Sequence, residues 1–322
     1  MIVEPNLENS IYSLSVDVKN ALQGKTTKRI QKDKVLFVLI DGLGYSLAEK
    51  VGIKAEKIHS VFPTITVTVL TTIFTATPPG VHGIMGWRIF DRENGRILNL
   101  LEDHVEIPKM NTYLSEKDVI VAPALRPSMR LFKSVGSRII PYFSPWDAVT
   151  QTYEVAKRDE PNFIFLYLPF VDAVSHRFGP NSPHTMRVAR EVYSLAENLA
   201  RDLSDKYSTV ITADHGHVEV EGVVNIGKDI LDVSVLPPFG DHRNLMFISK
   251  KDMREYLSKY GLLTYDREKL IKLTGGEKVP DYAGVPKDNK LYMYWDDEEK
   301  YHKGSHGGMS KEEIEIPLVL IQ

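Results

Sequence analysis

Cysteine is absent from this chain of 322 residues. Its absence removes disulfides, thiolate metal sites and cysteine nucleophiles, together with the cysteine that is oxidised to a formylglycine. It fits a cytosolic or a thermophilic protein. Long apolar runs are also missing: none reaches the ~18 residues of a membrane-spanning helix. The opening MIVEPNLENS shows no charged leader followed by an apolar stretch. The expectation is a soluble, cytoplasmic protein with no membrane partner. An excess of one charge is lacking too, since 40 Lys and Arg stand against 43 Asp and Glu. That balance gives no general drive toward nucleic acid, and no nucleic-acid binding is expected. Repeats and low-complexity segments are absent, and nothing in the sequence speaks to oligomeric state.

What is present is a strand-and-helix alternation with a hydrophobic content of 43%, enough for one large α/β core with an insert. KVLFVLI (34–40) is a continuous apolar run of the kind buried on both faces in a parallel sheet. FIFLYL (163–168), STVITA (208–213), EIPLVLI (315–321) and DVIVAPAL (118–125) read the same way. Between the second and third of these runs, residues 185–207 carry Val188, Val192, Leu195, Leu199 and Leu203 at helical spacing, which makes a βαβ unit. The first ~30 residues read as helical and peripheral. Glu93-Asn94-Gly95 reads as a hairpin turn. Residues 220–300 hold a short helix (251–260) and a Tyr/Trp-rich strand (290–295) among Pro and Gly breaks. The predicted fold is α/β, with a mostly parallel central sheet flanked by helices. Residues 1–219 and 301–322 form the core, and 220–300 an inserted α+β cap.

The chemistry sits where strands end, which is where open α/β sheets place their ligand sites. Asp41 follows the first run beside Gly42 and Gly44. Read alone, it is better suited to capping the helix that starts near Tyr45 than to holding a metal. Asp172 and His176, spaced i, i+4, follow the second run and share one side of a helical turn closed by Gly179-Pro180. Asp214 and His215, in DHGH, follow the third; adjacent Asp and His can lean toward two metals about 4 Å apart. His306 lies among three glycines in GSHGG. Three carboxylates and three imidazoles without a thiolate suit Zn²⁺ or Mn²⁺. FPTITVTVLTTIFTAT (62–77) holds seven threonines. Four are plain packing residues. Thr64, Thr66 and Thr68 sit at a predicted helix start, where free N–H groups favour a bound phosphate, and a metal there lowers a hydroxyl's pKa. The residues alone do not rank the three.

FPTIT followed by ATPPGVHGIMGW, then DAVSH before GP, then ADHG and HGG, come in an order that resembles the alkaline phosphatase superfamily. The branch it resembles most is the type I phosphodiesterases and nucleotide pyrophosphatases. The resemblance spans about residues 34–320 apart from the inserts. It implies Thr66 as nucleophile, a covalent phospho-threonine intermediate, and two divalent metals, zinc before manganese. One metal is implied to be held by Asp172, His176 and His306, the other by Asp41, Asp214, His215 and Thr66. His82 belongs to the motif as a structural residue. The branch usually carries an Asn after the nucleophile that contacts the substrate phosphate, whereas this chain has Val67-Thr68-Val69-Leu70. Thr68, or Arg243 from the cap, is the candidate replacement, with a surface arginine as the plain alternative for Arg243. The expected substrate is a small-molecule phosphate ester, a nucleotide among the candidates, and the expected activity is that of a phosphodiesterase. Alternatives are a phosphomonoesterase or phosphonoacetate hydrolase on the same core, or a non-catalytic metal-binding protein.

Overall fold

The computed structural model describes all residues except 103, 104, 106, 108, 125, 296 and 297. A seven-stranded sheet forms its centre, in the order Glu56–His59, Glu315–Ile321, Ser208–Thr212, Val35–Ile40, Phe163–Leu168, Val119–Pro123, Arg138–Tyr142. All five apolar runs are strands of this sheet. Val35–Ile40 lies at its middle, paired parallel with Phe163–Leu168 on one side and Ser208–Thr212 on the other. Glu315–Ile321 runs antiparallel to both strands beside it, Glu56–His59 and Ser208–Thr212. Every residue of Val35–Ile40 and of Phe163–Leu168 is buried, which explains why both read as unbroken apolar runs. In-register parallel pairing matches Ile40 with Leu168, so the chain leaves both strands at one edge of the sheet and delivers Asp41 and Asp172 to the same place.

Helices cover both faces. The long helix Pro183–Asp202 buries Ala189, Val192, Ala196 and Leu199; Val188 and Leu195 lie at its margin, half-buried. The N-terminal helix Ile11–Leu22 corrects the peripheral reading. Ile11, Leu14 and Val18 are fully buried, and it packs on the threonine-rich helix Thr66–Thr75. Its polar outer face hid that role, because a surface helix and a core-covering helix share one pattern.

A second, antiparallel sheet of six strands stands beside the first: Leu263–Asp266, Tyr282–Val285, Asn244–Phe247, Phe239–Asp241, Arg88–Asp91, Arg96–Asn99. Its last two strands form the hairpin around Gly95 and come from before residue 219. The division between the two sheets therefore does not follow the 219/220 and 300/301 boundaries. Pairing of Phe239–Asp241 with Arg88–Asp91 joins the hairpin to the insert, a contact between segments some 150 residues apart that leaves no local trace in the sequence. Among the described residues, no helix is long and apolar enough to cross a membrane.

Candidate active site

The threonine-rich helix begins at Thr66, with Ile65 at its N-cap in extended conformation and no side chain capping it. The first N–H groups of such a helix have no partner within it and carry the positive end of the helix dipole. Of the three candidate threonines, Thr66 is the least enclosed. It is 8% exposed, while Thr64 and Thr68 are fully buried. Thr66 Oγ1 lies 3.2 Å from His215 Nε2. Thr64 has another use. Its Oγ1 donates to Gly308 O and receives Gly307 N–H, and its carbonyl accepts His306 Nδ1–H at 2.8 Å. Thr68 Oγ1 has no hydrogen-bond partner.

Two groups of ligand-type atoms meet beside this helix start. Asp41, Asp214 and His215 form one, and Asp172, His176, His217 and His306 the other, the ligand atoms within each lying no more than 4.8 Å apart. The groups adjoin: the His215 and His306 rings stack with centroids 3.5 Å apart. The structure thus brings together all six predicted Asp and His ligands and Thr66. Asp41 does not cap the helix Tyr45–Lys50, whose N-cap Gly44 makes no side-chain bond. It turns instead into the site, where Tyr167 O–H donates to its Oδ2. Asp214 Oδ1 accepts the N–H groups of Gly42 and His215 at 3.1 and 3.0 Å. In each carboxylate one oxygen is held, while the other, Asp41 Oδ1 or Asp214 Oδ2, is buried without a hydrogen bond. These free oxygens lie 3.5 and 3.3 Å from His215 Nε2.

Buried oxygens left bare in this way are costly unless a cation completes them. Burial raises the Asp41 carboxyl well above its usual range, with the charges of Asp214 and Asp172 adding to it. Burial likewise pushes Asp214 up to about 6. For Asp172 burial acts in the same direction, but the His176 and His217 imidazoles overrule it and hold the carboxyl well below its usual range. Burial lowers His215 and His306 well below 6.5, which keeps them neutral and able to ligate. For His176 burial is outweighed by Asp172, which lifts it to about 9. His176 Nδ1 faces Gly304 O and His306 Nδ1 faces Thr64 O. Such backbone partners fix the tautomer and leave Nε2 for a metal. The donor set therefore fits divalent metals of the zinc and manganese kind.

Reasoning from sequence missed two residues here. Tyr167 sits inside an apolar run and reads as packing. His217 stands in the DHGH motif, two residues beyond His215, and nothing local marks it as part of the site. His82 lies outside both ligand groups: its ring accepts Ile84 N–H and lies 3.0 Å from Thr72 Oγ1.

Arg243 departs from the expectation. It is neither a phosphate contact nor a surface residue. At 0% exposure its guanidinium grips Glu313 through Nε and Nη2 at 2.6 and 3.0 Å, and its Nη1 donates to the carbonyls of Asp288 and Lys290. Glu313 in turn accepts Gly308 N–H and Ser310 N–H, so the pair braces the loop that carries His306. Truncating Arg243 to alanine is expected to cost about 3–5 kcal/mol, the usual penalty for stranding a buried charge. Arg243→Lys should recover little, since an ammonium does not reproduce the two-pronged grip. Chemical denaturation of the two variants measures this; a loss under about 1 kcal/mol is the level of a surface pair instead.

The fold has counterparts among solved structures. The murine ectonucleotide pyrophosphatase/phosphodiesterase 5, in an inactive threonine-to-alanine form with AMP, superposes with a TM-score of 0.68 at 18% identity, covering 88% of this chain and 87% of that one. Phosphonoacetate hydrolase from Sinorhizobium meliloti, in complex with phosphonoformate, gives 0.65 at 16% identity over 92% and 94%. At these identities the likeness is one of fold. Among curated sequences, the human ectonucleotide pyrophosphatase/phosphodiesterase family member 7 is 28% identical over 158 residues, 43% of this chain and 33% of its own length. An uncharacterised pyrophosphatase/phosphodiesterase of Schizosaccharomyces pombe is 28% identical over 180 residues, 48% of this chain and 36% of its own length. These matches take in about a third of each curated relative. The family profile of type I phosphodiesterase/nucleotide pyrophosphatase matches residues 35–122 and 109–309, the stretch that holds every residue of both ligand groups. On that match the chain belongs to the type I phosphodiesterase/nucleotide pyrophosphatase family.

Proposed function

We propose that the chain is a two-metal phosphodiesterase with Thr66 as its nucleophile. The observation that carries this reading is the position of Thr66: a hydroxyl on the first turn of an uncapped helix, 3.2 Å from His215 Nε2, in the ligand group whose His215 ring stacks on His306 of the other. Divalent metals, zinc before manganese, supply acidity to the hydroxyl and neutralise charge on the phosphoryl oxygens. Asp41, Asp214 and His215 hold one, and Asp172, His176 and His306 the other.

The chain's own residues do the rest. Thr66 Oγ1 gives up its proton and attacks phosphorus in line, and the P–O bond to the leaving group breaks as that oxygen takes a proton from water. The phosphoryl group, still bearing its second ester substituent, rests on the threonine until water releases it as the monoester. The free N–H groups at the helix start face the phosphoryl oxygens. An inactive threonine-to-alanine form of the murine relative, and its complex with AMP, support both the nucleophile and a nucleotide-type substrate. A cytoplasmic setting, as expected from the cysteine-free composition, belongs to the same proposal and is tested by cell fractionation.

Diesters are the favoured substrates. A monoester carries an additional negative charge, and the side chains next to Thr66 — Ile65, Val67 and Val69 — are apolar. Arg243, the cation once available to balance that charge, is committed to Glu313. The chain should therefore hydrolyse bis-p-nitrophenyl phosphate with a higher kcat/KM than p-nitrophenyl phosphate, with a nucleotide 5′-p-nitrophenyl ester and phosphonoacetate completing the panel. A monoester preference of about tenfold, ~1.4 kcal/mol in the transition state, overturns the diesterase reading. Preference for phosphonoacetate favours the chemistry of the Sinorhizobium neighbour.

A further inference from the structure

We propose that His217 is a fourth protein ligand at the Asp172 site, so that the two metals are held by unlike donor sets. The inference rests on the two-metal reading above and goes beyond the three ligands that reading gives this site. His217 Nε2 lies 3.1 Å from Asp172 Oδ1, the same distance as His176 Nε2, while His306 Nε2 is at 3.7 Å. Three imidazole nitrogens thus converge on one carboxylate oxygen. Zinc bonds of ~2.0–2.1 Å in a tetrahedron separate ligand atoms by about 3.3–3.4 Å, which these contacts bracket.

The backbone holds His217 there. Val218–Glu219 pairs antiparallel with Gly304–Ser305, Val218 facing Ser305. One step further along the same ladder, His217 comes opposite His306, and their rings meet edge to face at 5.1 Å. The ring also needs Gly42. A Cβ at that position would sit 2.6 Å from His217 Cε1, and Gly42 has a φ of +76°, which suits no other residue well. Packing does not account for the side chain. It is 1% exposed, its Nδ1 is buried without a partner, and its polar contact runs from Nε2 to Asp172 Oδ1, so what the ring engages is the ligand group.

With His217 included, one site has one carboxylate and three imidazoles. The other has two carboxylates, one imidazole and the threonine oxygen. A divalent ion keeps one positive charge in the first set and none in the second. Imidazole-rich sites favour zinc, cobalt and nickel, whereas carboxylate-rich sites also accept manganese and magnesium. The chain should bind its first equivalent of zinc or cobalt tightly at the Asp172 site and exchange the second ion readily.

The test is metal binding to the full chain. One equivalent of Co²⁺ or Zn²⁺ added to metal-free protein should show three imidazoles per metal by X-ray absorption fine structure. His217→Gln should lower that count to two and weaken binding of the first equivalent by more than about 100-fold, beyond the ~10–100-fold expected of a residue that only supports a ligand. Circular dichroism of the metal-free variant reports folding. Three imidazoles retained in the variant overturn the proposal, and so does a wild-type count of two or fewer, which needs no variant at all. Since every readout is metal coordination, failure of the diesterase reading leaves the result intact.

Discussion

Replacing Thr66 with alanine is expected to lower kcat/KM for bis-p-nitrophenyl phosphate by at least about 10⁴-fold, ~5.5 kcal/mol of transition-state stabilisation. Metal content should hardly change, because all seven Asp and His residues of the two groups remain. Thr66→Ser keeps the hydroxyl and loses only the methyl that restricts its χ1, so it should retain most of the activity. Wild-type enzyme quenched during turnover of this diester should carry a p-nitrophenyl phosphoryl group on Thr66, the ester that attack leaves in place, detectable by mass spectrometry. The rival hydroxyl is that of Thr68, two residues along and without a hydrogen-bond partner. If Thr68→Ala proves as inactive as Thr66→Ala while the phosphoryl group is found elsewhere, the nucleophile has been misassigned.

Asp214→Asn should have opposite effects on the metal-free and the metal-loaded protein. Burial lifts the Asp214 carboxyl from 3.8 to about 6. The metal-free native state therefore keeps a proton that the unfolded chain has released, and native stability falls as pH climbs through that window. Above about pH 6 the native state bears a buried charge whose cost, at ~1.4 kcal/mol per pKa unit, is roughly 3 kcal/mol. Asparagine removes the charge and retains the oxygen that accepts Gly42 and His215 N–H. The metal-free variant should melt several degrees higher than metal-free wild type at pH 7, and no higher below about pH 4. Saturating metal should add about 4 kcal/mol to the wild type at a thousandfold excess over Kd, and far less to the variant. The Asp41 carboxyl is held up in part by the Asp214 charge, so its burial penalty eases in the variant and adds to the gain. A variant less stable than wild type at every pH without metal would mean that the bare carboxylate oxygens are not under strain of this kind.

Much of the core was legible because two local signals coincide. A parallel strand buried on both faces is an unbroken apolar run, and a ligand site lies just past its end. Asp41, Asp172 and Asp214 each follow such a run, and the in-register pairing of the three strands does the rest. The ranking of Thr64, Thr66 and Thr68 was not legible from the residues. It came from family resemblance, and the physical difference between the three is tertiary: Thr64 is tied to Gly307 and Gly308 some 243 positions away. Arg243 was misread for the same reason, as its partner Glu313 lies 70 residues on. His217 was visible in its motif, but its role depends on the ladder that sets it against His306.

The tie between Thr64 and the His306 loop also bears on the time course of folding. The site is closed by contacts at separations of 172 residues for Gly42 with Asp214, 242 for His306 with Thr64 and 70 for Arg243 with Glu313. None of these can form before the chain between them has been organised, and pairings this remote slow the search for the native state. In a refolding experiment helix content should return early and catalysis last. Recovered turnover is then a reporter of the finished topology, because no partly assembled core holds both the nucleophile and its full ring of ligands.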